Sequence, residues 1–150
     1  MIIDAHVHPV LFGPICKDPE RVQFRKQQFG LYKSSPIPME QVMAVMDHAG
    51  VDLAILFAED YSALMGQSIV SNEEIRLLMD AQPGRFAGFA SVDPRNEDAP
   101  EELARAFTEL KLDGLKLNLS HLQMYPDDAR LQPLYELCLA HNKPITFHCG

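Results

Sequence analysis

The chain has 150 residues, enough for one domain with its own core, and its 47% share of hydrophobic residues is usual for globular proteins. A formal net charge of −8 argues against nucleic acid or an anionic membrane as the main partner, and no apolar run is long enough to span a bilayer. The three cysteines are scattered without a CxxC pair, and the N-terminus has no signal-peptide pattern, so we expect a cytoplasmic protein with reduced thiols.

The first predicted strand carries three polar side chains at every second position. Asp4, His6 and His8 would share one face of a β-strand, with aliphatic residues on the other. Two imidazoles at this spacing can bind one metal ion at roughly 2.0–2.1 Å from each nitrogen, and neutral imidazoles suit zinc. Asp4, one pleat earlier, is better placed to orient an imidazole than to bind the metal. The alternatives are two ordinary histidines at a strand end and a capping role for Asp4.

A long irregular segment, residues 9–38, follows this strand and contains five of the eleven prolines and five cationic residues. Loops of this length in compact domains are usually functional or disordered. We interpret the segment as an active-site loop with a short helix over residues 19–28, whose cations, Arg25 among them, would contact an anionic substrate. A solvated insertion that aids solubility is the equal alternative.

Helices and strands then alternate with a period of about thirty residues, as βα units do. Pro38, the capping pair Ser71 and Glu74, and Pro100 mark three helix starts. Such alternation predicts parallel strands with right-handed helical crossovers. The predicted helices cover 39–49, 72–82, a segment from 100 and a segment from 126, and the later strands cover 53–58, 86–92, 115–120 and 145–149.

The two faces of the strands distinguish a barrel from an open sheet. In the fourth strand, leucines alternate with Lys116, Asn118 and Ser120, and in the fifth His148 lies on the polar face. An open doubly wound sheet has helices on both faces and would need no polar side. We therefore predict an α/β fold, a TIM-type (β/α)8 barrel, with strands one to five present and their polar faces turned inward. Barrel active sites lie at the carboxyl ends of the strands.

A complete (β/α)8 barrel needs about 250 residues. We therefore expect residues 1–150 to be the N-terminal part of a single barrel domain, without a second domain. Assembly with another copy of the chain is the less favoured alternative, and a homo-oligomer is left open.

Three sequence segments form a recognisable set: Asp4-Ala5-His6-Val7-His8, GLKL at 114–117 and PITFHCG at 144–150, with Tyr125-Pro126 and LYEL at 134–137 between them. Together they resemble the amidohydrolase superfamily, in particular the branch called amidohydrolase-related or amidohydrolase 2. The resemblance runs from residue 2 to residue 150.

This resemblance implies a divalent metal, usually zinc, bound by His6 and His8, with His148 as a further ligand or another catalytic residue. Lys116 is a second catalytic candidate, because some amidohydrolases carboxylate a lysine here to bridge two metals. In others the lysine makes a salt bridge or contacts substrate, and a mononuclear site suits this branch better. The family's strand-six histidine and strand-eight aspartate do not lie within these 150 residues.

The leading functional hypothesis is a metal-dependent hydrolase that cleaves an amide, ester or lactone of a small organic substrate with a metal-bound hydroxide. The alternative is non-oxidative decarboxylation of an aromatic or enoic acid, and a third is a catalytically inactive barrel or fragment that acts as a binding module. Asn118, His121 and Arg25 are candidate contacts to the substrate, which the cationic loop predicts to be anionic. For His121, a place on a surface loop is the alternative.

Overall fold

The computed structural model of the protein describes residues 1–148, in which five parallel β-strands alternate with helices. The strands are β1 (Ile3–Val7), β2 (Leu53–Phe57), β3 (Phe86–Ala90), β4 (Gly114–Leu117) and β5 (Ile145–Phe147). The helices are α1 (Pro19–Gln28), α2 (Met39–His48), α3 (Ser62–Met65), α4 (Asn72–Ala81), α5 (Ala99–Thr108), α6 (Leu119–Leu122) and α7 (Gln132–Ala140), with single 3₁₀ turns at Gly13–Ile15 and Ala129–Leu131. No helix within residues 1–148 combines the length and the apolarity needed to cross a membrane.

The strands lie side by side in the order in which they occur along the chain, β1-β2-β3-β4-β5, and every neighbouring pair is parallel. Helices α2, α4, α5 and α7 form the four crossovers. A doubly wound sheet reverses its strand order at a switch point, and the described strands contain no such reversal. The predicted fold is therefore confirmed: the described residues form five consecutive strands of a TIM-type barrel with the four helical crossovers that connect them.

The main core lies between the outer face of the sheet and the helices. Leu56 of β2 and Leu115 and Leu117 of β4 are fully buried there. Ile75 of α4 and Leu103 of α5 are fully buried in the same cluster. Because each such side chain contributes roughly 1.5–3 kcal/mol on burial, this layer is what holds the helices against the strands.

The inner face of the sheet carries aromatic rings as well as polar groups. Phe57 of β2 and Phe89 of β3 meet edge to face with ring centroids 5.6 Å apart. The ammonium nitrogen of Lys116 lies 4.7 Å from the centroid of the Phe57 ring, and Lys116 is only 1% exposed. The inner face is therefore less polar than the alternation of residues predicts.

Local capping residues set the helix starts as predicted. The Glu74 N–H donates to the Ser71 hydroxyl at 3.3 Å and the Ser71 N–H donates to the Glu74 carboxylate at 2.9 Å, which completes the predicted capping box of α4. Helix α1 covers the predicted residues, and the Asp18 side chain caps it by accepting the Glu20 N–H at 2.9 Å.

The fourth strand is shorter than predicted. It ends at Leu117, and Asn118 caps a short helix, α6, by accepting the His121 N–H at 3.1 Å. Ser120 therefore lies in a helix and not on the inner face of the sheet. The last predicted residue of the fifth strand, Cys149, lies outside the described residues.

Strand β1 contains an irregularity that changes the direction of one predicted site residue. Asp4 pairs with Ala54 and Val7 with Leu56, so three steps along β1 match two along β2. One extra residue in a strand reverses the alternation of faces. Asp4 and Val7 consequently line one cavity beneath α2 on the outer side of the sheet. The prediction that Asp4 shares a face with His6 and His8 is wrong for this reason.

Residues 9–38 fold back on themselves beside β1. The Gly13 N–H donates to the Ile37 carbonyl at 2.8 Å, and the Ile37 N–H donates to the Leu11 carbonyl at 2.8 Å. Helix α1 lies between these closing contacts in sequence, so the segment is a folded loop with a helix at its centre.

Candidate metal centre

His6 and His8 converge at the carboxyl end of β1. Their Nε2 atoms lie 2.9 Å apart, and the ring centroids lie 4.8 Å apart. The His6 ring also packs edge-on against Phe57 at 4.7 Å between centroids. Two nitrogens that each lie about 2.0–2.1 Å from one ion are separated by at most about 4.2 Å, so the observed separation fits two ligands of one metal.

The second nitrogen of His8 contacts a buried carboxylate. His8 Nδ1 lies 3.1 Å from Glu59 Oε1, and Glu59 is only 6% exposed. Sequence reasoning missed Glu59 because it follows the last residue of β2. A signal was present, since Glu59 stands two residues after Phe57 and so continues the inner-face alternation beyond the end of the strand.

The electrostatic surroundings favour a neutral His6. Burial lowers the pKa of His6 below its ordinary value, and the positive charge of Lys116 lowers that pKa further. His8 and His148 lower the His6 pKa to a smaller degree, and the negative charge of Glu59 opposes these effects. A neutral imidazole keeps the lone pair that a metal ligand needs, so the donor set fits a divalent ion bound through nitrogen.

A small cavity of about 180 Å³ is lined by His8. It brings together three of the predicted site residues, Asn118, His121 and His148, beside His8. The other residues that line it are Gln28, Phe29, Glu59, Tyr61 and Ile69.

His148 faces this cavity without completing a ligand cluster. Its backbone N–H donates to the Leu117 carbonyl at 2.9 Å, which extends the β4–β5 pairing one residue past the end of β5. Within residues 1–148, no group of three or more His, Cys, Asp or Glu side chains is arranged to hold a metal ion. The structure therefore brings His6 and His8 together and leaves the ligand role of His148 as a prediction.

Tyr61 supports the opposite wall of the cavity. It is 2% exposed, and its ring stacks on His121 with 4.3 Å between centroids and 23° between planes. Burial raises the pKa of the Tyr61 hydroxyl, the negative charge of Glu59 raises it further, and a hydrogen bond with the Asn118 side chain acts in the other direction. Tyr61 therefore stays a neutral hydroxyl, held between Asn118 and His121.

A family profile for amidohydrolases matches residues 3–150. The chain belongs to the amidohydrolase family. A search of curated proteins by sequence finds no match.

Solved structures of similar fold accompany this amidohydrolase match. The 5-carboxyvanillate decarboxylase from Novosphingobium aromaticivorans, complexed with manganese and 4-hydroxy-3-methoxy-5-nitrobenzoic acid, is 21% identical, with a TM-score of 0.69 over 99% of this chain and 50% of its own. The 2,6-dihydroxybenzoate decarboxylase is 18% identical, with a TM-score of 0.68 over 99% of this chain and 50% of its own. The 4-oxalomesaconate hydratase from Rhodopseudomonas palustris is 22% identical, with a TM-score of 0.66 over 99% of this chain and 52% of its own. The chain spans about half the length of these structures, and at such identities the likeness shows the fold alone.

Two of the predicted site residues of this amidohydrolase lie away from the cavity. Asp4 Oδ1 accepts the His6 N–H at 3.2 Å, so this carboxylate contacts the His6 backbone and neither imidazole ring. Arg25 is fully buried and donates to the carbonyls of Ile15 at 2.7 Å and Ile69 at 2.8 Å. The assignment of Arg25 as a substrate contact is wrong, because its guanidinium binds the protein itself and does not reach the surface.

Proposed function

We propose that this amidohydrolase chain carries the metal-binding histidine pair of a metal-dependent hydrolase that acts on an amide, ester or lactone of a small anionic substrate. The observation that supports the proposal is the 2.9 Å convergence of His6 Nε2 and His8 Nε2 at the carboxyl end of β1, beside a small cavity. In barrels of this type the active site is built at that end of the strands.

His6 and His8 would hold the ion, with His148 as a further contact from the same cavity. Zinc is our first choice, because imidazole nitrogens suit it, and the manganese of the 5-carboxyvanillate decarboxylase shows that a structure of similar fold holds another divalent ion. When bound, such an ion would polarise a carbonyl oxygen and would lower the pKa of water enough for it to lose a proton and supply hydroxide as the nucleophile.

The chain's own residues would bind and orient the substrate. The buried ammonium of Lys116 adds positive charge on the inner face of the sheet, which favours an anionic substrate. After burial, this charge is the next largest cause that lowers the pKa of His6. Asn118 offers an amide to a polar group of the substrate, and His121 offers an imidazole held flat by Tyr61. Phe29 follows α1 and lines the cavity with His8, which supports the interpretation of residues 9–38 as an active-site loop.

A second candidate function is non-oxidative decarboxylation of an aromatic acid. The observation that favours it is the cavity wall, where Phe29 lies 5.5 Å from His8 between ring centroids and His121 stacks on Tyr61. Aromatic rings that line a cavity can pack against a planar aromatic substrate. The 2,6-dihydroxybenzoate decarboxylase of similar fold, complexed with 2,6-dihydroxybenzoate, is consistent with this candidate.

Metal analysis with a substrate panel tests these proposals. The protein, His6→Ala and His8→Ala are each loaded with zinc or manganese, desalted and measured for bound metal, then assayed for released acid and for released CO₂. We expect both variants to lose the metal and the activity together, whereas His48→Ala, an exposed histidine in the last turn of α2, should keep both.

Full metal retention in His6→Ala would refute the ligand assignment. Release of acid supports the hydrolase, and release of CO₂ supports the decarboxylase. Bound metal without any turnover across the panel favours the third hypothesis, an inactive binding module. The cytoplasmic location, the absence of nucleic-acid and membrane partners and the oligomeric state stay predictions.

A further inference from the structure

Glu59 is a buried carboxylate that the proposed reaction does not use. It is 6% exposed, and its side chain contacts His8 Nδ1 at 3.1 Å. An ionised carboxylate is costly to bury unless it is paired or hydrogen-bonded, and at 3.1 Å His8 Nδ1 lies close enough to pair with it.

The backbone of Glu59 is fixed on both sides. Its N–H donates to the Val70 carbonyl at 2.9 Å, and its carbonyl accepts the Ile69 N–H at 2.8 Å. The first of these bonds and the Val70 N–H bond to the Glu59 carbonyl at 3.4 Å form an isolated antiparallel bridge just past the end of β2. The side chain is therefore aimed at His8 by a rigid segment, which is what a positioning contact requires.

We propose that Glu59 is a positioning residue that holds His8 in one tautomer, with the proton on Nδ1 and the lone pair on Nε2. The Nδ1–H would donate to the Glu59 carboxylate, and Nε2, which lies 2.9 Å from His6 Nε2, would be left to bind a divalent ion. The contact that one ring nitrogen makes decides which nitrogen is free to bind a metal. This inference rests on the proposed function, since it assigns His8 as a ligand.

Glu59 acts through His8 and is not itself a ligand. The two ring nitrogens of an imidazole point in divergent directions, so a carboxylate at Nδ1 lies across the ring from the point where His6 and His8 converge. Asp4, the carboxylate that the sequence nominates for this task, accepts the His6 N–H and lines the cavity beneath α2 instead. The residue that would orient the imidazole of His8 is therefore Glu59, 51 positions further along the chain, and not the nearby Asp4.

The first measurement is the tautomer of His8 in metal-free protein, read by long-range ¹H–¹⁵N NMR at a pH where the ring is neutral. We expect Nδ1–H in the wild type and a mixture containing Nε2–H in Glu59→Ala, because the acceptor at Nδ1 is gone. Glu59→Gln is close in shape and keeps an acceptor oxygen, so its tautomer should stay nearer the wild type, which separates a local effect from misfolding. Glu40→Gln, an exposed glutamate on α2, is the matched control.

The second measurement is zinc affinity by competition with a chromophoric chelator. Loss of an outer-shell carboxylate typically lowers metal affinity about 10–100-fold, so we expect a fall of that size in Glu59→Ala, a smaller fall in Glu59→Gln and no change in Glu40→Gln.

The outcomes separate this inference from the proposed function. An unchanged His8 tautomer in Glu59→Ala overturns the inference, and so does an altered tautomer with wild-type zinc affinity. A wild-type protein that binds no zinc overturns the proposed function. In that case the tautomer measurement, which needs no metal, still decides whether Glu59 orients His8.

Discussion

Arg25 is a structural residue, and its replacement should destabilise the protein without acting on substrate binding directly. The test variant is Arg25→Met, which keeps most of the side-chain volume and removes the charge and the donors. In the native structure the guanidinium donates to the Ile15 and Ile69 carbonyls and pairs with Glu74 at 2.5 Å. The contacts with Ile69 and Glu74 join the loop that carries α1 to the segment before α4 and to α4 itself, and the contact with Ile15 lies within the loop.

The expected loss in the free energy of unfolding depends on which contacts the partners of Arg25 keep after the substitution. Two buried carbonyls would lose a donor, at about 1–3 kcal/mol each. Glu74 would keep its contacts with Arg21 and with the Ser71 N–H, so its carboxylate would not be left unpaired. Removal of one member of a buried ion pair typically costs about 3–5 kcal/mol, and the retained contacts place Arg25→Met near the lower end of that range. A loss of about 3 kcal/mol is large against typical domain stabilities of about 5–15 kcal/mol.

Urea denaturation followed by circular dichroism measures this loss directly. Lys33→Met, an exposed cation of the same loop, is the control and should change the free energy of unfolding by less than about 0.5 kcal/mol. A free energy of unfolding for Arg25→Met within about 1 kcal/mol of wild type would refute the reasoning. If Arg25→Met were as stable as wild type but bound an anionic substrate weakly, Arg25 would have to be a substrate contact after all.

Two further predictions concern packing and thiol reactivity. Gly88 of β3 faces the core, where an added Cβ would lie 2.4 Å from Ile75 and 2.6 Å from Met79. Gly88→Ala should therefore lower the free energy of unfolding, measured by urea denaturation, by about 1–3 kcal/mol. An unchanged denaturation midpoint would contradict this packing. Burial raises the pKa of the Cys138 thiol to about 11, and at pH 8 the thiolate fraction is therefore very small. Peptide mass spectrometry after iodoacetamide treatment should find Cys138 unlabelled in the native protein and labelled in urea, and rapid native labelling would show that the thiol is accessible.

Sequence patterns predicted the parts of this protein that depend on near neighbours. The capping box of Ser71 and Glu74 spans one helical turn, and α1 begins at a proline next to its Asp18 cap. The regular spacing of the βα units follows from apolar runs separated by turn residues, so the strand order and the barrel could be predicted from the sequence. The two imidazoles of His6 and His8 were also predictable, because two residues on a strand return to the same face.

Predictions that assumed regular geometry failed where the backbone departs from it. The extra residue in β1 turns Asp4 to the helix side, and the amide of Asn118 ends β4 early by capping α6. The alternation of polar and apolar residues cannot reveal a bulge, because the same sequence fits a regular strand and a bulged one. Only the pairing with the neighbouring strand shows where the extra residue lies.

What the sequence alone determined is therefore the order of elements, the right choice of barrel over open sheet and the histidine pair at the end of β1. The tertiary structure decided which distant side chains serve that pair. Glu59 contacts His8 from the segment that follows β2. Arg25, which the sequence predicted to contact substrate, instead donates to backbone carbonyls 10 and 44 residues away. The physical reason is that hydrogen-bond partners of buried charges are chosen by chain packing, which brings together residues that no local spacing connects.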